Sequence, residues 1–116
     1  MAKCFAVIRP VKDTREVDNL VVDTGLAFIA SRMKDASATA MTHMELGTGT
    51  TAAAAGDTAI ETVISGSRTA LTSTTVTSNA VAYVCSFAAG TGTGAVTEAG
   101  ILNASSGGTL LCRTSI

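Results

Sequence analysis

The chain has no tryptophan, one tyrosine and three phenylalanines in 116 residues. Aromatic rings supply much of the buried area of an ordinary core. A core here has to be built from aliphatic side chains and alanine instead, and a chain this short buries only a modest fraction of its surface. The same scarcity argues against a sugar or small-ligand pocket, which apolar and aromatic side chains usually line. Charged residues make up 15% of the chain and the net charge is −1. No basic patch is present to hold nucleic acid. No apolar run approaches the roughly 18 residues of a membrane helix. The opening Met-Ala-Lys-Cys-Phe lacks the apolar core of a signal peptide. The expectation is a soluble protein, neither exported by a cleaved signal nor bound to a membrane.

The residues that carry chemistry are equally sparse. Cys4, Cys85 and Cys112 are far apart, with no CxxC pair. That spacing fits neither a zinc site nor a disulfide framework. The cysteines read as small buried apolar residues of a reducing compartment. His43 is the only histidine, so none of the many Ser and Thr hydroxyls has an assignable base, and no GxSxG elbow occurs. His43 and Glu45 could begin a metal site with Asp57 or Glu98, but such a site wants three or four placed ligands. Glu45, Asp57, Glu61 and Glu98 are scattered along the chain and do not suggest a glycosidase pair. The glycine-rich stretches 47–51 and 90–94 lack the lysine of a phosphate loop and the spacing of a dinucleotide loop. No catalytic residue, metal or other cofactor is expected.

What the sequence does have is strand patterning, strongest in 67–116. A Thr-rich run at 68–77 leads to Ser78-Asn79, a tight-turn signal because Asn tolerates left-handed backbone. In 80–88, Val81, Tyr83, Cys85 and Phe87 alternate with smaller residues, the period of a strand. Runs at 95–104 and 109–116 flank Gly107-Gly108, a hairpin signal. Two consecutive hairpins predict one antiparallel meander. Upstream, 3–11 reads as a strand, with Pro10 at its end because proline cannot donate to a ladder. Residues 13–16 read as a turn, and 17–22 as the returning strand. Leu26, Ile29, Ala30 and Met33 follow helical spacing, with Thr24 as N-cap and Arg32 and Lys34 in the last turn. Residues 35–40 read as a linker and 41–46 as a strand, with Met44 and Leu46 on one face and His43 and Glu45 on the other. A loop follows at 47–58, then a short helical turn at 59–63 capped by Asp57, with a strand at 60–64 as the alternative. The expected fold is mainly β: an antiparallel sandwich or jelly-roll-like domain with one short amphipathic helix near residues 25–34. Residues 1–24 form an N-terminal strand or arm, and 25–116 the β-rich domain.

Three blocks carry a resemblance: GTGTT at 47–51 with DTAIE at 57–61, GAVTEAGILN at 94–103, and GGTLLCRT at 107–114. Together with NLVVDTGLAFIA at 19–30, they resemble small virion structural proteins of tailed bacteriophages. The resemblance implies a capsid decoration (cement) protein, or alternatively a tail- or fibre-associated protein. It implies the major capsid protein as partner, assembly as a homotrimer, and location on the outer capsid surface after synthesis in host cytoplasm. The arm residues Phe5, Val7, Ile8 and Arg9 are the expected interface. So are Leu110, Leu111, Arg113 and Ile116 of the last strand, whose free edge a neighbouring subunit would cover. The loops 47–57 and 89–94 are further candidate contacts.

Overall fold

The computed structural model describes residues 3–9, 15–18, 20–78, 80–88, 90–91 and 94–115. The chain is mainly β, with one helix. The first two strands, β1 (Lys3–Arg9) and β2 (Arg15–Asp18), pair antiparallel. Residues 15 and 16, expected in a turn, therefore belong to a strand, and Pro10 lies outside the described residues. A two-residue strand, β3 (Leu20–Val21), then crosses to a second sheet.

Helix α1 (Asp23–Asp35) follows. Its N-cap is Val22, with no side-chain cap, rather than Thr24. The Thr24 hydroxyl is committed elsewhere, donating to the Leu110 carbonyl at 2.7 Å. The orphan N–H of Asp23 is satisfied by the Ala55 carbonyl. Arg32 and Lys34 do occupy the last turn, and the Arg32 guanidinium donates to the Ala36 and Ala38 carbonyls. The buried face of the helix differs from the expected stripe. Gly25 is buried and Phe28 and Ile29 pack on the core, whereas Leu26 is partly exposed and Met33 is 81% exposed. Gly25 decides this. A β-carbon there would collide with the backbone of Leu111, so the helix can approach its neighbour only on the glycine side.

The remaining strands are β4 (His43–Gly47), β5 (Thr69–Ala70), β6 (Ser73–Thr77), β7 (Ala80–Ser86), β8 (Glu98–Leu102) and β9 (Leu110–Ser115). They complete two sheets, ordered β2-β1-β7-β6 and β3-β9-β8-β4-β5. Both expected hairpins form, β6–β7 around the left-handed Ser78 and β8–β9 around Gly107 and Gly108. They lie in different sheets, however, so no single meander exists. The Thr-rich run is split between sheets at Leu71-Thr72, and β7 takes β1 as a parallel neighbour. All other named pairings are antiparallel.

The sheets face each other in a sandwich-like arrangement. Tyr83, Cys85 and Phe87 of the first sheet's segment meet Met44, Leu46, Ala99, Ile101 and Cys112 of the second. This is the alternation read from 81–87 and 44–46. Cys85 and Cys112 are buried, and burial pushes the Cys85 thiol up to about 11, too high for a thiolate at neutral pH. Where β9 bulges, Ile101 faces Cys112 but Leu102 faces Leu110, so Leu111 is the extra residue. Its carbonyl accepts from Val22, which seats the helix entry. Among the described residues no helix is long and apolar enough to cross a membrane.

Gly25→Ala should destabilise the fold by about 1–3 kcal/mol, the cost of overpacking, although alanine is the better helix former. The exposed Ala27→Gly should cost only about 0.5–1 kcal/mol. Urea unfolding of the two variants measures the order.

Candidate functional site

The second sheet has two faces, and the outer one carries charge. Glu98, Gly100 and Leu102 of β8 alternate with the core residues Ala99 and Ile101. Glu45 of β4 and Arg113 of β9 lie on that same outer face. A strand face of this kind normally meets water. Here it does not: Glu98 is wholly buried and Arg113 is 2% exposed. The cover is the segment 48–68, which contains no helix or paired strand beyond a single bridge between Val63 and Gly47. Ile60 and Leu110 both lie over Gly100, and a small apolar group of Val22, Leu102 and Leu110 continues the layer. The helical turn expected at 59–63 is absent, because Asp57 and its neighbours are used otherwise.

Glu98 is the centre. Its Oε1 accepts from the Glu61 N–H at 2.7 Å and from Arg113 Nε at 3.0 Å. Its Oε2 accepts from the Gly49 N–H at 2.6 Å and the Thr62 N–H at 2.8 Å. A carboxylate offers about four acceptor sites, so Glu98 is saturated. Gly49 lies so close that a β-carbon would overlap the Glu98 carboxylate. Arg113 spends its other donors on the loop: Nη1 on Asp57 Oδ2 at 2.7 Å, and Nη2 on the Thr51 carbonyl at 2.8 Å. Glu61 accepts from the Thr50 and Thr51 N–H groups, and Asp57 from the Ala54 N–H. Beside this cluster, Arg68 pairs with Glu45 at 3.0 Å and donates to the Gly107 carbonyl, tying the loop's end to the β8–β9 turn. Ser67 is buried and exchanges hydrogen bonds with the backbone of Leu46.

The electrostatics follow from these contacts. Burial alone would push the Glu98 carboxyl up, but the Thr62, Glu61 and Gly49 N–H groups and Arg113 outweigh it and hold it below the usual range. The Ala54 N–H and then Arg113 hold Asp57 down. Hydrogen bonds from Thr51 do the same for Glu61. Burial would lower the Arg113 pKa, but Asp57 and Glu98 raise it above its ordinary value. All three carboxylates are therefore ionised at neutral pH, and Glu98 has no lone pair left for a metal or a substrate proton. The arrangement holds a shape.

The carboxylates scattered in the sequence are thus brought together, apart from Glu45, which has its own arginine. His43 stands away from them, hydrogen-bonded to the Thr42 hydroxyl, and no group of three or more metal-binding side chains occurs among the described residues. Of the expected interface residues, those described in the last strand are covered within the chain. Phe5, Val7, Ile8 and Arg9 belong to β1, whose backbone is paired on both sides, so this strand is not an arm. Leu110, Leu111 and Arg113 are buried in β9, which lies between β8 and β3. The edge expected to await another subunit is met within the chain by Leu20 and Val21. Ile116 lies outside the described residues. The observed register sets Arg113 opposite Gly100, diagonal to Glu98 on the same face, whereas counting outward from Gly107-Gly108 would set it opposite Leu102; the longer turn and the bulge at Leu111 hid the pairing from the sequence.

A cleft of about 470 Å³ lies between α1 and the 103–109 turn, lined by Thr24, Phe28, Thr39 and Asn103. The Thr24 and Asn103 side chains in it are already engaged. The Asn103 amide donates to the Thr39 carbonyl and its oxygen accepts from the Thr109 N–H.

Arg113→Ala should cost about 3–5 kcal/mol, because it leaves a buried carboxylate unpaired. Arg113→Lys should recover little, since lysine cannot make the forked contacts; chemical unfolding measures both. Because the folded carboxylates bind protons less readily than the unfolded ones, their stabilisation is complete above the ordinary carboxylate range. It is lost as pH falls through the depressed folded values. The thermal midpoint should therefore drop as the solution is acidified below the ordinary carboxylate range, about pH 4, and Asp57→Asn should make that drop shallower.

No family model, no curated protein and no solved structure matches this chain at a significant level.

Proposed function

We propose that this chain is a non-enzymatic structural protein of a tailed-bacteriophage virion, a capsid decoration protein that binds the outer shell and stabilises contacts of the major capsid protein. The observation that carries this reading is the loop 48–68 held by Glu98 and Arg113. A loop of this length without secondary structure is uncommon in a compact domain and usually has a function. Most of its exposed side chains are small, among them Thr50, Ala52, Ala54, Ala55 and Thr58, with Glu61 and Val63 the larger exceptions. Small side chains lose little rotamer entropy when covered, and a loop already fixed from beneath loses little backbone freedom on docking. That combination suits a surface made for one fixed neighbour. The three sequence blocks that carry the phage resemblance also meet at this cluster: 47–51 with 57–61 as the loop, 94–103 as β8, and 107–114 as β9. Each contact would be weak, and repetition over a symmetric shell would multiply it.

Imaging of purified virions with the chain labelled tests this directly. Copies numbering in the hundreds and spread over the shell are expected. A handful at one vertex would instead assign the chain to the tail or fibre, and absence from particles would overturn a virion role. Ala54→Arg, on the exposed loop, should abolish shell binding by at least about tenfold in affinity, equivalent to 1.4 kcal/mol, while leaving the thermal midpoint nearly unchanged.

A further inference from the structure

The two sheets end in four outer strands, and three of them are protected. β3 and β5 have two residues each, and very short edge strands offer little to a pairing partner. β2 reads Arg-Glu-Val-Asp, and charge on an edge strand discourages pairing. Among the described residues β6 has neither protection and no strand on its outer side. It is five residues long, Ser-Thr-Thr-Val-Thr, and every residue is exposed. No charged residue occurs between Arg68 and Glu98, so neither β6 nor its hairpin partner β7 carries any repulsive device. A largely apolar groove of about 500 Å³ runs alongside, lined by Met33 of α1, Val76 of β6, and Val81 and Tyr83 of β7, among others. Val76 is 69% exposed and Met33 81%.

An unpaired strand edge presents alternating backbone donors and acceptors, and only another strand satisfies them in order. We propose that β6 pairs antiparallel with β6 of a second copy of this chain, about a twofold axis through Thr75. The strand is compatible with itself in that register. Thr75 stands opposite the partner's Thr75, Val76 opposite the partner's Thr74, and Ser73 opposite the partner's Thr77. Threonine pairs across strands are favourable, and no like charges meet. The four-stranded sheets then join into one sheet of eight, and the two grooves become contiguous on its inner face. Identical edges paired antiparallel close with two copies, so this interface makes dimers, whereas the phage resemblance would imply trimers. The inference does not rest on the virion role.

Sedimentation equilibrium of the full chain over a range of concentrations tests it. The expected mass is twice the 11.6 kDa of the chain. Thr75→Lys and Thr75→Glu, both at an exposed position and checked for folding by circular dichroism, should each weaken the dimer on the order of tenfold by opposing like charges. Mixing the two variants should restore a heterodimer, an outcome that only a pairing centred on Thr75 produces. A monomer at all concentrations, a trimer, or a dimer indifferent to Thr75→Lys would overturn the proposal.

Discussion

A carboxylate removed from water has to be surrounded by donors, or its desolvation costs several kcal/mol. Glu98 meets that requirement with three backbone N–H groups and one guanidinium. The three amides come from Gly49, Glu61 and Thr62, so the loop cannot leave without exposing or orphaning the charge. The guanidinium comes from Arg113, which is itself buried and needs Asp57 and the Thr51 carbonyl. Sheet, loop and ion pair are thus mutually dependent. The second sheet is covered on one face by apolar packing and on the other by a loop held through charge-assisted hydrogen bonds.

This division explains how so aromatic-poor a chain builds a fold. The apolar layer takes its larger side chains, Met44, Leu46, Ile101, Tyr83 and Phe87. The other layer uses little apolar volume beyond Ile60, Leu110, Leu102 and Val22. Buried ion pairs are weak sources of net stability, and their contribution here is shape. They fix the loop's path where no regular hydrogen-bond ladder could, and the outward side of that loop is left mostly to small side chains. That is the physical basis for reading the loop as a contact surface.

The sequence was legible where a local period determined the outcome. The alternation through Val81, Tyr83, Cys85 and Phe87 and the turn residues at Ser78 and Gly107-Gly108 marked the strands and hairpins that form. It was not legible where long-range placement decides. Nothing local to Leu71-Thr72 says that the Thr-rich run changes sheets there, or that β7 seeks β1 rather than β8. The helix stripe misled because Gly25, weak by hydropathy, is buried through its lack of a side chain, while Met33 points outward. Thr24 is a good cap by type, yet its hydroxyl bonds the Leu110 carbonyl from a strand remote in sequence. The charged cluster was hidden for the same reason. Asp57, Glu61, Glu98 and Arg113 are distant in sequence and meet only once the loop folds over the hairpin.

The most direct measurement is native-state hydrogen exchange at the Gly49, Glu61 and Thr62 amides. If Glu98 holds the loop, all three exchange as slowly as the amides of β8 and β9, although they sit in a segment without regular structure. Exchange at the rate of an open loop, with β8 and β9 still protected, would show that the carboxylate does not fix the loop, and the reading of 48–68 as a rigid contact surface would fail.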